Sequence, residues 1–177
     1  SMKDAINQIG DLFNLPRGWL NSDFMRTASY TAKLNEASKY YKTFSGVLQV
    51  RSISAEYLIA MKLRSGRKYK NDLSDIVGIL AEHEKRGQPI TWDMVDRAVI
   101  NLYQGWDDIA EETKTFIKNV FMMESYVEAF RQIQEQEQLS RNMLVEFQQE
   151  HPYIITESNV DDILQQLQPG KPKNIES

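Results

Sequence analysis

The chain has 177 residues, a net charge of −4 and 41% hydrophobic residues, enough for one domain with a real core. It has no cysteine and only two histidines, His83 and His151, so a disulfide framework and a thiolate centre are excluded and a histidine zinc site is disfavoured. The acidic balance argues against bulk nucleic-acid or membrane-surface binding, no apolar run reaches the length of a membrane span, and no signal-peptide pattern opens the chain. A reducing cytoplasm is the compartment this composition fits, and Ser1-Met2 reads as a tag remnant followed by a start or cloning methionine.

In chain order, Ala5, Ile6, Ile9, Leu12 and Phe13 mark an amphipathic helix over 3–13. Pro16 and Gly18 end it, and Trp19, Leu20 and Asn21 follow in an extended or turn setting. Residues 24–30 show no clean period. Two short strands are expected over 40–53, turned at Ser45-Gly46, with Leu48 and Val50 on the more apolar face. Such a hairpin is marginal alone and needs a partner sheet or helix. Beyond residue 80 the pattern is wholly helical. Thr91 caps a helix buried through Val95, Ala98, Val99, Leu102 and Tyr103, bracketed by the packing residues Trp92 and Trp106. A long segment begins near Asp107 and carries Ile109, Thr113, Phe116, Val120, Met123, Val127 and Phe130 in a near-heptad. Met122 and Met123 read as core or interface filler. The segment runs on through Leu139, Met143, Leu144 and Phe147 to His151-Pro152, with a break expected at 138–140. Ser158 is placed to cap a last helix, and the tail 169–177 is expected to be disordered.

The chemistry concentrates in 54–80. Ser54 can cap a first helix striped by Tyr57, Leu58 and Met61, and Gly66 interrupts it. Asn71 or Asp72 can cap a second helix with Leu73, Ile76, Val77 and Leu80 on one face. Between them lie Arg64, Arg67, Lys68 and Lys70, a basic turn before a helix N-terminus that itself favours anions. Asp72 and Asp75, three apart, share a helix face and suit a divalent cation, acid–base work or simple complementation of the helix dipole. Lys62, in an otherwise apolar helix, either snorkels to solvent or aims its compact ammonium at a phosphate. Glu82-His83-Glu84 imitates a metal pair, but residues two apart on a helix diverge.

The run AEYLIAMKLRSGRKYKNDLSDI, with Leu58, Ala60, Lys62, Leu63, Arg67, Asp72, Asp75 and Ile76, resembles the lysine-to-aspartate segment of bacterial nucleotidyltransferase-like proteins of the abortive-infection toxin group. The preceding LPRGWLN and the strand VLQVRSI agree with the same relatives in order and spacing, so the resemblance covers roughly residues 4–105. It implies that Lys62 contacts nucleotide triphosphate, that Arg67 supports the anionic site and that Asp72 or Asp75 orients the lysine or assists the attacking group. It also implies magnesium, held by a glycine-serine turn and a D-x-D strand. This chain has no D-x-D, and its E-x-E pairs, Glu82/Glu84 and Glu135/Glu137, fall in helical stretches. The resemblance thus points to the C-terminal portion of such a protein, over 3–105, with a helical appendage over 106–168, inactive alone. The expected fold class is mainly α with a small β element. The rival is a non-enzymatic module in which the long helix pairs with a partner protein or a second copy. A nucleic-acid-binding basic turn is a third reading, disfavoured by the net acidity.

Overall fold

Apolar residues at three- and four-residue steps dictate most of this chain, and helices are what they form. The structure, a computed structural model, describes residues 2–16, 18 and 23–167. Trp19, Leu20 and Asn21 and the tail 169–177 lie outside the described residues. The fold is mainly α with one two-stranded antiparallel sheet. Its order is α1 (Met2–Leu12), a 3-10 turn (Asp23–Arg26), α2 (Lys33–Ala37), β1 (Lys39–Phe44), β2 (Leu48–Ser52) and α3 (Ala55–Ser65). There follow α4 (Asp72–Lys85), α5 (Trp92–Tyr103), α6 (Glu111–Val120), α7 (Tyr126–Glu150) and α8 (Val160–Leu167).

The main core lies between α3, α4 and α5, with α6 and the first half of α7 closing it. Ile59, Ala60 and Leu63 of α3, Ile76, Val77 and Leu80 of α4, and Val95, Ala98, Val99 and Leu102 of α5 are buried together with Ile109, Ile117, Val120 and Ala129. On α3 the deep face is Ile59, Ala60 and Leu63, while the predicted stripe of Tyr57, Leu58 and Met61 is only half-buried. Contact with α4 and α5 together decides this, because it turns the first set inward. Helix α7 lies along α4, and at Gly78 a Cβ would stand 3.2 Å from the Phe130 ring. A second, smaller core joins Leu144 of α7 to Val160, Ile163 and Leu164 of α8. Trp92 and Trp106 stack with centroids 5.3 Å apart, and the Trp106 indole donates to Asp96 at 2.7 Å.

The hairpin forms as its sequence predicts, with Ser45 and Gly46 both at positive φ (49° and 67°) in the turn. Tyr40 pairs with Arg51 and Phe44 with Leu48, and the register shifts between Tyr40 and Lys42. Only Val50 is half-buried, so the face expected to be more apolar is largely uncovered. The stripe of α1 is also largely uncovered, with Ile9, Leu12 and Phe13 exposed.

Two helix limits and two caps differ from expectation. The long segment does not start near Asp107. Its first helix begins at Glu111, and the break falls at 121–125 instead of 138–140. Ser125 restarts the chain by accepting the Glu128 amide at 3.4 Å, and Phe121 is held edge-on against Trp92. Residues 138–140 stay helical, flanked by the buried Glu137, anchored to the first turn of α4, and by Arg141, anchored to the α3–α4 bend. Met122 and Met123 stand exposed in the α6–α7 turn and are not core. Ser54 holds the N-cap position of α3 but bonds the Glu56 carboxylate at 2.6 Å without capping. Ser158 likewise pairs with the Thr156 hydroxyl at 2.9 Å, while Asn159 accepts the Thr156 amide at 2.7 Å.

Candidate functional site

Helix α3 ends because Gly66 takes a left-handed conformation (φ 56°) and returns its N–H to the Lys62 carbonyl at 2.8 Å. Glycine is needed twice over, since a Cβ there would lie 2.7 Å from Thr113 Oγ1 on α6. The bend then brings the start of α4 back beside the last turns of α3. Four charged side chains converge there.

The Lys62 ammonium donates to Asp75 Oδ2 at 2.6 Å and lies 3.4 Å from Asp72 Oδ1. Arg67 holds Asp72 with its Nε at 2.8 Å from Oδ2 and its Nη2 at 3.3 Å from Oδ1, and its backbone N–H reaches Oδ2 at 3.3 Å. The side chain of Asp72 is 4% exposed and that of Lys62 25%, whereas Asp75 is 44% exposed. Burial pushes the Asp72 carboxyl up, but the Arg67 hydrogen bonds and charge, with the Lys62 charge, outweigh it and hold it below its ordinary value. For Lys62, burial works against the ammonium, and the Asp75 hydrogen bond and charge, aided by Asp72, more than reverse this. The Arg67 guanidinium is held up chiefly by its hydrogen bond to Asp72. The quartet is electrically neutral, with an inner pair, Arg67–Asp72, and an outer pair, Lys62–Asp75, nearer to water.

A cleft of 240 Å³ opens beside the quartet. Leu58, Met61, Lys62, Arg67 and Asp72 form one wall, and Phe24, Thr27 and Ser29 the other. That second wall is tied down through Ser29, whose hydroxyl donates to Ser65 at 3.3 Å and whose carbonyl accepts from Tyr103 at 2.8 Å. Desolvation in this contact pushes the Tyr103 phenol up to about 12.

All four predicted site residues, Lys62, Arg67, Asp72 and Asp75, are therefore brought together. The remaining cations of the basic turn are otherwise engaged. Arg64 donates to the Asp108 carbonyl, Lys68 pairs with Glu112, and Lys70 lies over the Tyr69 ring. Neither Asn71 nor Asp72 caps α4. The Asn71 amide oxygen accepts from Arg141 at 2.7 Å, and the capping carboxylate comes from α7. Glu137 Oε1 accepts the Leu73 and Ser74 amides at 2.9 and 3.3 Å. Glu137 and Arg141 were not legible as site residues. The available signal was a charged residue at 137 on the inward heptad track of Phe130, Ile133 and Leu144.

The donors present do not fit magnesium. Both oxygens of Asp72 and one of Asp75 already face cations, and the described residues hold no group of three or more acidic, histidine or cysteine side chains suited to a metal. Glu82 is taken by Arg86, and His83 Nδ1 lies 3.3 Å from the Gln88 carbonyl. Among the described residues no helix is long and apolar enough to cross a membrane. No family model matches the chain, and neither a curated protein nor a solved structure matches it.

Proposed function

We propose that this chain is the C-terminal portion of a nucleotidyltransferase-like protein, and that the cleft beside Lys62 takes the triphosphate of a nucleotide. The observation that carries the reading is Lys62 on the wall of that cleft, paired with the half-exposed Asp75. Asp72 is already neutralised by Arg67 and needs Lys62 little. The ammonium can therefore leave Asp75, itself half in water, for a phosphate oxygen without stranding a buried charge. Asp75 then orients Lys62 before the phosphate arrives, and Arg67 adds positive potential. Magnesium, by the same resemblance, belongs to a D-x-D strand these residues do not contain, so the chain by itself carries out no transfer.

The test is a titration of the chain with inorganic tripolyphosphate and with ATP, GTP, CTP and UTP, followed by amide chemical shifts. Salt-sensitive, saturable shifts at 61–76 that vanish in Lys62→Ala are expected. Binding unchanged in Lys62→Ala, or shifts confined to other regions, would refute the reading.

A second reading, an interaction module, draws on a different place from the long helix. The hairpin leaves Tyr40, Tyr41, Phe44, Val47 and Leu48 exposed, with Val47 88% open to solvent. Helix α7, by contrast, already lies against α4 and α8. Light scattering over a concentration series decides whether a second copy covers the hairpin, since a strict monomer at all concentrations removes that option.

A further inference from the structure

A second cleft, sharing no lining residue with the first, lies between the α3–α4 bend, α6 and α7. Its 440 Å³ falls within the range of about 300–1,000 Å³ found for small-molecule sites. Leu73, Phe116, Ile133, Leu139 and Met143 make its walls largely apolar. Among them sits Glu137, only 2% exposed. Its Oε1 is used by the two α4 amides, but its buried Oε2 has no hydrogen-bond partner among the described residues. A capping role needs one oxygen. A second carboxylate oxygen that is buried and unpaired beside an apolar cleft is a standing cost that calls for a partner.

The partner's chemistry follows from the surroundings. The Leu73 and Ser74 amides stabilise the ionised carboxylate, so Oε2 is best matched by a donor, and a cationic donor makes the stronger bond. Lys68, the cation lining the cleft, is already neutralised by Glu112, so it does not repel a second positive charge. Burial, with the Asp75 charge adding to it, raises the Glu137 pKa against the opposing hydrogen bonds from Ser74 and Leu73, and a bound cation would relieve that penalty. We propose that this cleft binds a small apolar amine, its ammonium donating to Glu137 Oε2 and its aromatic or branched aliphatic body lying against Phe116, Ile133 and Met143. The site stands apart from the phosphate reading, because none of its residues is among Lys62, Arg67, Asp72 and Asp75.

The probes are phenethylamine, benzylamine and cyclohexylamine, with phenethyl alcohol and phenylacetate as uncharged and anionic controls of similar shape. They are titrated into the isotopically labelled 177-residue chain. At least one amine should give saturable shifts of the Leu73 and Ser74 amides, and neither control should. Glu137→Gln should weaken amine binding by about tenfold or more, as loss of a charge-assisted bond requires. Ser140→Phe, which fills the cleft from the α7 side, should abolish it with helix content unchanged. Should Glu137→Gln fail to fold, the amine-against-alcohol comparison on the unaltered chain decides alone. Equal binding of amine and alcohol, undiminished binding by a folded Glu137→Gln, or no saturable response to any of the three amines overturns the proposal.

Discussion

Replacing Glu137 by alanine should destabilise the protein through a helix that Glu137 does not belong to. The side chain is on α7, yet the groups it satisfies are the first free amides of α4, at 2.9 and 3.3 Å. Losing an N-cap acceptor costs about 0.5–2 kcal/mol. Hydrogen bonds to a charged group contribute about 1.5–3 kcal/mol, with the longer of this pair at the low end. Against this, the unpaired Oε2 disappears, returning on the order of 1 kcal/mol. The net expectation is a loss of about 1–3 kcal/mol, a fall in Tm of roughly 2–12 °C for a chain of this size. Glu137→Gln keeps an acceptor at the Oε1 position and should lie within about 1 kcal/mol of the parent. The assay is urea unfolding combined with amide hydrogen exchange. The distinctive result is local: in Glu137→Ala the Leu73 and Ser74 amides should lose protection before the α5 core does. An alanine variant as stable as the parent, with those two amides equally protected, would refute the capping argument.

The pH dependence of stability should carry two opposed contributions from this region. Asp72 has a folded pKa below its ordinary 3.8, so its stabilisation is present above that value and is lost as pH falls through the folded pKa; Asp72→Asn should flatten the acid limb of a Tm–pH curve. Glu137 has a folded pKa above its ordinary 4.5, so its contribution is fully present below that value and declines as pH rises through the folded pKa; Glu137→Gln should remove that decline. Lys62→Met should cost only about 0–1 kcal/mol, because the pair it breaks is partly solvated and Asp72 keeps Arg67, and a larger loss by urea unfolding would mean that the lysine is chiefly structural. Gly66→Ala should destabilise by about 1–2 kcal/mol from the left-handed φ alone, and by more from the clash with Thr113. The double variant with Thr113→Ala should recover the clash component in a double-mutant cycle.

Much of this was readable from one-dimensional pattern. Periodicity places α3, α4, α5 and α8 and the hairpin, because each is specified by neighbours within a turn or across a tight loop. The same locality gathers the quartet. Lys62 and Arg67 sit within thirteen positions of Asp72 and Asp75, linked by a glycine-stopped helix end that folds back on itself. Thr91 caps as read, its hydroxyl accepting the Met94 amide one turn on.

The tertiary structure decided whatever depends on partners far along the chain. Ser54 and Asn71 occupy cap positions, but Glu56 and Arg141 claim their side chains, and the α4 cap arrives from a residue more than sixty positions away. The position of the break in the long helical segment was decided by contacts at both ends of it, with Trp92 fixing Phe121, the first turn of α4 holding Glu137 and the α3–α4 bend holding Arg141. Which face of α3 is deepest could not be settled by its own stripe, because two helices compete for it. Hydrophobic spacing records that a residue will be buried; it carries no record of which of several surfaces will bury it, and capping groups go to whichever acceptor packing brings nearest.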